Sequence, residues 1–130
     1  MGAPNISMMA TGDIYPSRFV TPTAGGDRAV SQSTTGDLPI GVSAEYAHYA
    51  PYGSSNSTLA ASSAQSIAFY GIGEVCPLEI AGTVQTGDFL KSDTSGKGVV
   101  GTLQTDKIGA RALESGTSGS IIRVYVQTNA

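Results

Sequence analysis

The chain has 130 residues, of which 13% are charged and 40% are hydrophobic, and its formal net charge is −3. Its seven Lys and Arg residues are scattered, which argues against nucleic acid as a partner because such binding needs clustered positive charge. The apolar content excludes the highly charged type of disordered chain, and no apolar run approaches the roughly 18 residues that span a membrane.

The length matches one domain with one compact core. Residues 1–12 mix Gly, Pro, Asn and Ser with Met8 and Met9, and we interpret them as an extended N-terminal arm that becomes ordered on a partner. A single β domain then covers residues 13–130. Met8 and Met9 are therefore candidate interface residues.

The first strands of the domain are short. The run IYPSRFV over residues 14–20 predicts an edge strand, because Pro16 removes one backbone donor from the hydrogen-bonded ladder. Residues 28–32 and 38–44 are two further strand candidates.

Residues 44–65 have no countable strand or helix period, and their second half consists mainly of small polar residues. We predict one long irregular loop here, a kind of segment that often carries function in a compact domain. Its aromatic residues can form a patch that contacts another protein, since tyrosine is enriched at interfaces, or they can cap the open end of a barrel. Both interpretations apply to these candidate interface residues, which are Tyr46, His48, Tyr49 and Tyr52.

From Ser66 onward, short apolar runs follow one another at intervals of about 8 to 12 residues, separated by Gly, Ser, Thr and Asp. This spacing predicts an all-β fold, either a small β-barrel or a β-sandwich.

The last run, SIIRVYV, predicts which of its side chains leave the core. Strand side chains alternate, so Arg123 and Tyr125 share a face that points outward or toward a neighbour. The opposite face carries Ile122, Val124 and Val126. The Gly-containing turn over residues 115–119 predicts a hairpin between this strand and the preceding one.

The tripeptide Thr-Gly-Asp occurs three times, beginning at Thr11, Thr35 and Thr86. We interpret each copy as a turn before a strand, because Asp can bond to nearby backbone and Gly tolerates the left-handed conformation. The residues around the three copies show no self-similarity at a constant spacing, so the sequence does not predict an internal duplication.

Residues suited to catalysis are scarce. His48 is the only histidine, no Gly-x-Ser-x-Gly motif occurs, and no set of His, Cys and carboxylate residues has the spacing of metal ligands. Cys76 precedes Pro77 in an apolar run, where a buried and inert thiol is expected, and a lone cysteine favours folding in a reducing cytoplasm. The sequence therefore predicts neither an enzyme nor a bound cofactor or metal.

Two short motifs are outweighed by their context. GKGVVG, which begins at Gly96, matches the dinucleotide-binding pattern, but it lacks the strand before it and the helix after it, so a hairpin turn at Ser95 and Gly96 is predicted instead. VQTGDFL resembles the entry turn of lipoyl and biotinyl carrier domains, but Lys107 lies too far along the chain to be the modified lysine of such a domain.

Three segments carry a resemblance to one family: GDIYPSRFV, VCPLEIAGTVQTGDFLKSDTSGKGVV and GARALESGTSGSIIRVYV. Together they resemble the head decoration, or capsid cement, proteins of tailed bacteriophages over most of the chain. The resemblance implies a small β-barrel or sandwich, often a homotrimer, that binds the major capsid protein outside the expanded head and clamps neighbouring subunits. It also implies a location on the outer surface of the virion, after synthesis in the cytoplasm of the bacterial host.

A surface recognition module is the alternative function. In that case the loop with Tyr46, His48, Tyr49 and Tyr52 would bind glycans or another ligand. A cement protein binds purified heads at a fixed stoichiometry, whereas a recognition module binds sugars or cells without heads. In the cement function, the N-terminal arm is expected to become ordered against the capsid or a neighbouring subunit.

Overall fold

The computed structural model describes residues 8–24, 28–44, 66–67, 69–102 and 104–127. All regular structure in these ranges is β-strand, so the predicted all-β class is confirmed, and none of the described residues belongs to a helix that could span a membrane. The strands are, in chain order, β1 (Met8–Ala10), β2 (Phe19–Pro22), β3 (Ala29–Gln32), β4 (Gly41–Ser43), β5 (Ser66–Ile67), β6 (Phe69–Tyr70), β7 (Val75–Glu79), β8 (Phe89–Ser92), β9 (Gly98–Val100), β10 (Ile108–Ala112) and β11 (Ile121–Val126).

The first sheet has the strand order β5-β1-β3-β2-β4-β6. β1 and β3 pair in parallel, and the other neighbours pair antiparallel. β5 ends at Ile67 and β6 begins at Phe69, so the two ends of this sheet are adjacent in the chain and the sheet closes into a small barrel, here called the first barrel. Met8–Ala10, which fall within the expected N-terminal arm, form its strand β1, whereas residues 1–7 lie outside the described ranges.

The second sheet has the strand order β7-β11-β10-β8-β9, with antiparallel pairing throughout. Ile80, directly after β7, forms a parallel bridge to Gly98 of β9, which brings the two ends of the sheet together. We call this unit the second barrel. Both predicted hairpins are confirmed, since β10 pairs with β11 and the turn at Ser95 and Gly96 joins the paired strands β8 and β9.

The predicted edge strand over residues 14–20 is wrong in its position. β2 begins only at Phe19 and lies between β3 and β4, in the interior of the sheet. Pro16 occupies the preceding turn, where the ladder does not need the N–H that proline lacks. The proline therefore marks the entry into the strand and not an exposed edge.

The buried apolar residues form two clusters, whereas the chain length predicts a single core. The smaller cluster fills the first barrel and comprises Ala10, Ile14, Val20 and Val30. The larger cluster fills the second barrel, and it also includes Phe19 and Val42 from the first barrel. Each curled sheet encloses its own interior, and the larger cluster extends across the boundary between the two barrels.

The last strand follows the predicted alternation. Arg123 and Tyr125 of β11 are exposed. The side chains of the opposite face are buried, and they are Ile122, Val124 and Val126. The predicted outward face of β11 is therefore confirmed.

The two barrels repeat one pattern of backbone hydrogen bonds. The Ser33 N–H donates to the Phe19 carbonyl at 2.9 Å in the first barrel, and the Gly101 N–H donates to the Phe89 carbonyl at 2.8 Å in the second. Three further bonds, each from an N–H to a carbonyl, also have counterparts. The bond from Thr11 to Val30 corresponds to the bond from Ala81 to Gly98. In the same way, Ser43 to Arg18 corresponds to Ala112 to Asp88, and Ser17 to Ser43 corresponds to Gly87 to Ala112.

The structure therefore reveals an internal duplication that the sequence does not predict. β2, β3 and β4 correspond to β8, β9 and β10, β1 corresponds to the end of β7, and β5 with β6 corresponds to β11. Backbone hydrogen bonds do not require particular side chains, so the two copies can keep one architecture with little common sequence.

Two of the three Thr-Gly-Asp copies form the predicted kind of turn. Gly36 and Gly87 have φ angles of 90° and 94°, in the left-handed region. The Asp88 carboxylate accepts the Gln85 N–H at 2.9 Å, and the Asp88 N–H donates to the Gln85 carbonyl at 3.1 Å. The turn around Gly36 has the same two bonds. The copy at Thr11 differs, since its hydroxyl donates to a carbonyl of β3 at 3.2 Å.

Candidate interaction surface

The predicted interface residues fall into two groups. Met8 and Met9 lie in β1, where Met8 packs against the interior of the first barrel and Met9 is 50% exposed. The aromatic residues of the predicted loop lie outside the described ranges, and they are Tyr46, His48, Tyr49 and Tyr52. Of these two methionines, Met9 has the more exposed side chain.

The two barrels meet at the turn that leads into β2. The Phe19 N–H donates to the Gly96 carbonyl at 2.8 Å, and the Glu79 N–H donates to the Ser17 carbonyl at 2.9 Å. Residues 17–19 of the first barrel therefore lie between β7 and the β8–β9 turn of the second barrel. The joint is thus built from backbone hydrogen bonds as well as from apolar contacts.

Charged side chains reinforce the same joint. Glu79 pairs with Arg18 at 3.2 Å and with Lys97 at 3.3 Å, and the Arg18 Nη1 donates to the Ser95 carbonyl at 3.0 Å. The side chains of Arg18 and Glu79 are only 13% and 22% exposed, so solvent screens this pair less than an ordinary surface pair. These contacts hold residues from both barrels in one arrangement.

The outer face of the second barrel carries a row of four neighbouring side chains across adjacent strands. Val75 pairs with Tyr125, Tyr125 with Arg111, and Arg111 with Phe89, and we call these four residues the outer row. Val75 is 51% exposed and Tyr125 is 40% exposed. The Arg111 guanidinium lies 5.0 Å from the centroid of the Phe89 ring, and its Nε donates to the Gly87 carbonyl at 3.1 Å. Val75 and Tyr125 therefore place two exposed side chains with apolar area side by side on this face of the second barrel.

Sequence reasoning found only one member of the outer row. The alternation in β11 predicts that Tyr125 points outward or toward a neighbour. Val75, Arg111 and Phe89 join it only through the register of four strands that are distant in sequence, and no local pattern contains that register. The outer row as a whole can therefore be recognised only from the structure.

A cleft of about 270 Å³ lies where the turn at Thr35 to Asp37 faces the second barrel. On its wall, Lys91 Nζ lies 3.4 Å from Asp106 Oδ2. The pKa of Asp106 is lowered, mainly because its carboxylate accepts the Thr102 N–H and also because of Lys91. The lining contains both lysine and aspartate side chains, so its charge does not select an anion or a cation.

The buried thiol is chemically inert. Cys76 is 2% exposed, and burial, together with the negative charge of Glu74, raises its pKa to about 12. A thiol that stays protonated is a poor nucleophile. Within the ranges that the structure describes, no three His, Cys, Asp or Glu side chains lie close enough together to hold a metal ion.

Comparison with known proteins identifies the fold. No protein-family model matches the chain, and no curated protein matches its sequence. Among solved structures, the chain is similar to the N base of the head fiber gp8.5 of bacteriophage phi29, with a TM-score of 0.70 and 12% sequence identity. The match covers 96% of this chain and 95% of that chain. The two proteins therefore share one fold over nearly their whole lengths.

Proposed function

We propose that this chain is a structural protein of a bacteriophage virion that binds the outer surface of the head. It associates as a homotrimer, contacts the major capsid protein, and stabilises the shell by clamping neighbouring capsid subunits. It is made in the cytoplasm of the bacterial host and acts on the assembled particle.

The observation that carries this proposal is the fold shared with the base of a phage head fiber, over 96% of the chain. The resemblance of three sequence segments to capsid cement proteins points to the same location on the particle. The two lines of support are separate, since one rests on backbone geometry and the other on residues.

The physics of the described surfaces suits this function. Clamping requires complementary area and a body that holds together, and backbone hydrogen bonds and ion pairs join the two barrels. A trimer engages several capsid subunits together, so modest contacts add up because each bound subunit raises the effective concentration of the next.

The predicted contacts with the capsid come from the N-terminal residues and from the loop over residues 44–65. In this proposal the residues before β1 become ordered against a capsid subunit. The aromatic residues of the loop add apolar contact area with polar tips, a combination that is frequent at interfaces.

The test mixes the purified protein with heads that lack it and sediments the heads. We expect binding that saturates at a fixed number of copies per head, and heads that then survive heating or osmotic shock better than bare heads. A glycan array and intact host cells are probed with the same protein in parallel. Binding to sugars or cells without binding to heads would replace the proposal with the recognition module.

A further inference from the structure

The first barrel docks onto the second through one row of side chains. Phe19, Val42 and Tyr70 are direct neighbours on β2, β4 and β6. They point away from the interior of the first barrel and join the apolar cluster of the second, in which Phe19 and Val42 are fully buried and Tyr70 packs against the edge. This row is therefore an intramolecular interface between two units of the same fold.

The duplication assigns an equivalent row to the second barrel. Phe89 corresponds to Phe19, since each accepts the equivalent backbone hydrogen bond, and Arg111 and Tyr125 occupy the positions of Val42 and Tyr70 on the corresponding strands. These are three of the four residues of the outer row.

The same position in the fold is thus covered in one barrel and uncovered in the other. Val75 extends the outer row on β7 and is 51% exposed, and the neighbouring Tyr125 is 40% exposed. The row that the fold buries in its first copy is left in contact with solvent in its second copy, where Arg111 stands at the position of Val42.

We propose that the outer row binds a second copy of this chain. The equivalent row docks onto a barrel of this fold, and another copy of the chain supplies barrels of the same fold. Interfaces are enriched in aromatic and arginine side chains, and the outer row consists of two aromatic rings, one arginine and one valine. The inference deepens the oligomer of the proposed function by naming its surface, and it needs no capsid for its test.

The contact between the two barrels of one chain joins unlike surfaces, and it provides the template for the arrangement of the two copies. A contact of one outer row with another around a two-fold axis parallel to the row would bring two Arg111 guanidinium groups together, which is unfavourable. A head-to-tail contact avoids this repulsion, and such contacts close into rings when the rotation allows it.

The surface that receives the outer row is the face of the neighbour's first barrel around Met9. Met9 corresponds to Glu79, because β1 corresponds to the end of β7, and Glu79 lies at the docking site that the first barrel occupies on the second. Met9 is 50% exposed, so the equivalent position presents an accessible apolar side chain. A ring closed in this way uses one outer row and one Met9 face from each copy.

The test measures association of the purified protein without heads, by sedimentation equilibrium over a range of concentrations. Tyr125→Asp and Val75→Asp place a carboxylate in the contact, and we expect each to weaken association at least about 30-fold, the range of a central interface residue. Ile121→Asp is the matched control, since Ile121 is 58% exposed on the same strand β11. It should associate like the wild type.

Circular dichroism and thermal unfolding of each variant separate a lost contact from a lost fold, because all three positions are exposed. A wild type that stays monomeric at all concentrations would overturn the inference. Equal association of the wild type and the two row variants, or equal weakening by Ile121→Asp, would overturn it as well. Head binding is measured separately, so the association data can be interpreted even if the capsid proposal fails.

The head-to-tail arrangement has its own readout. A Tyr125→Cys variant is mixed with a Met9→Cys variant under mild oxidation, while Cys76 stays buried and unreactive. We expect disulfide-linked dimers in the mixture and none from either variant alone. Dimers formed by Tyr125→Cys alone would show a two-fold contact in its place.

Discussion

The turn into β8 depends on the conformation of one residue. Gly87 has a φ of 94°, a region in which a side chain other than glycine is disfavoured because its Cβ crowds the following carbonyl. The Asp88 carboxylate and the Gln85 N–H close this turn from the other side. The Thr-Gly-Asp motif therefore sets a backbone conformation. Its glycine adopts the positive φ angle, and its aspartate makes the hydrogen bond that holds the turn.

Gly87→Ala should lower the free energy of unfolding by about 1 kcal/mol, the usual cost of a left-handed alanine. A Cβ at this position would meet no atom within 4 Å, so the cost comes from the backbone alone. Denaturant titration measures it. The control is Gly82→Ala, another open position, where φ is not in the left-handed region and stability should stay the same or rise slightly. Equal losses in the two variants would contradict this account of the turn.

Glu79 contributes to the stability of the joint between the barrels, because it pairs there with Arg18 and Lys97. Glu79→Gln keeps the shape and removes the charge, and we expect a loss of about 1 to 2 kcal/mol in the free energy of unfolding. The control is Glu114→Gln, because its partner Arg123 is 70% exposed and the pair should contribute less than about 0.5 kcal/mol. Similar losses in the two variants would show that the joint does not depend on this charge.

At the scale of elements, β1 ties the start of the described chain into the first barrel. It lies between β3 and β5, its Met9 N–H donates to the Arg28 carbonyl at 2.9 Å, and Ala10 is buried. We therefore expect removal of the residues before β1 and removal of β1 itself to have different effects on stability.

Removal of residues 1–7 should leave the thermal unfolding midpoint unchanged and weaken binding to heads, because the proposal assigns these residues to the capsid contact. Removal of residues 1–11 also deletes β1 and should destabilise the protein by at least about 2 kcal/mol, since it leaves backbone groups of β3 unpaired. Unfolding scans and head sedimentation on both variants measure the two effects. Unchanged head affinity after removal of residues 1–7 would refute the proposed contact.

Local patterns predicted single strands well and their arrangement poorly. β11 was predictable in detail because the alternation of Ile122, Arg123 and Val124 lies within one segment. The interior position of β2 was not predictable, since it depends on pairing with β3 and β4 and not on Pro16. The duplication escaped detection for a related reason, because it is carried by hydrogen bonds between distant segments.

The same distinction applies to the candidate surface. Tyr125 could be assigned to an outward face from its own strand. Its neighbours Val75 and Arg111 come from two other strands, and the pair Arg18 and Glu79 at the joint is separated by 61 positions in sequence. Contacts of such long range are not encoded in any single window of the chain.

At the scale of the whole molecule, Phe19 and Phe89 form a natural pair of probes. They occupy equivalent positions, but Phe19 is fully buried between the barrels and Phe89 is half-buried under Arg111. The duplication therefore provides one side chain in two environments within a single chain.

Phe19→Ala should cost about 3 to 5 kcal/mol in the free energy of unfolding, as for other buried phenylalanines, because it leaves a cavity at the joint. Phe89→Ala should cost about 1 kcal/mol in the monomer, because solvent already reaches this ring. Chemical unfolding at a concentration below that of association measures both. A loss for Phe89→Ala as large as that for Phe19→Ala would contradict the assignment of one row as covered and the other as open.

An icosahedral cryo-EM reconstruction of the particles that carry this chain tests the central claim most directly. The account predicts density for a compact body of two small barrels on the outside of the shell, in contact with more than one capsid subunit. A shell whose outer surface carries no such density, in particles that contain the chain, would contradict it.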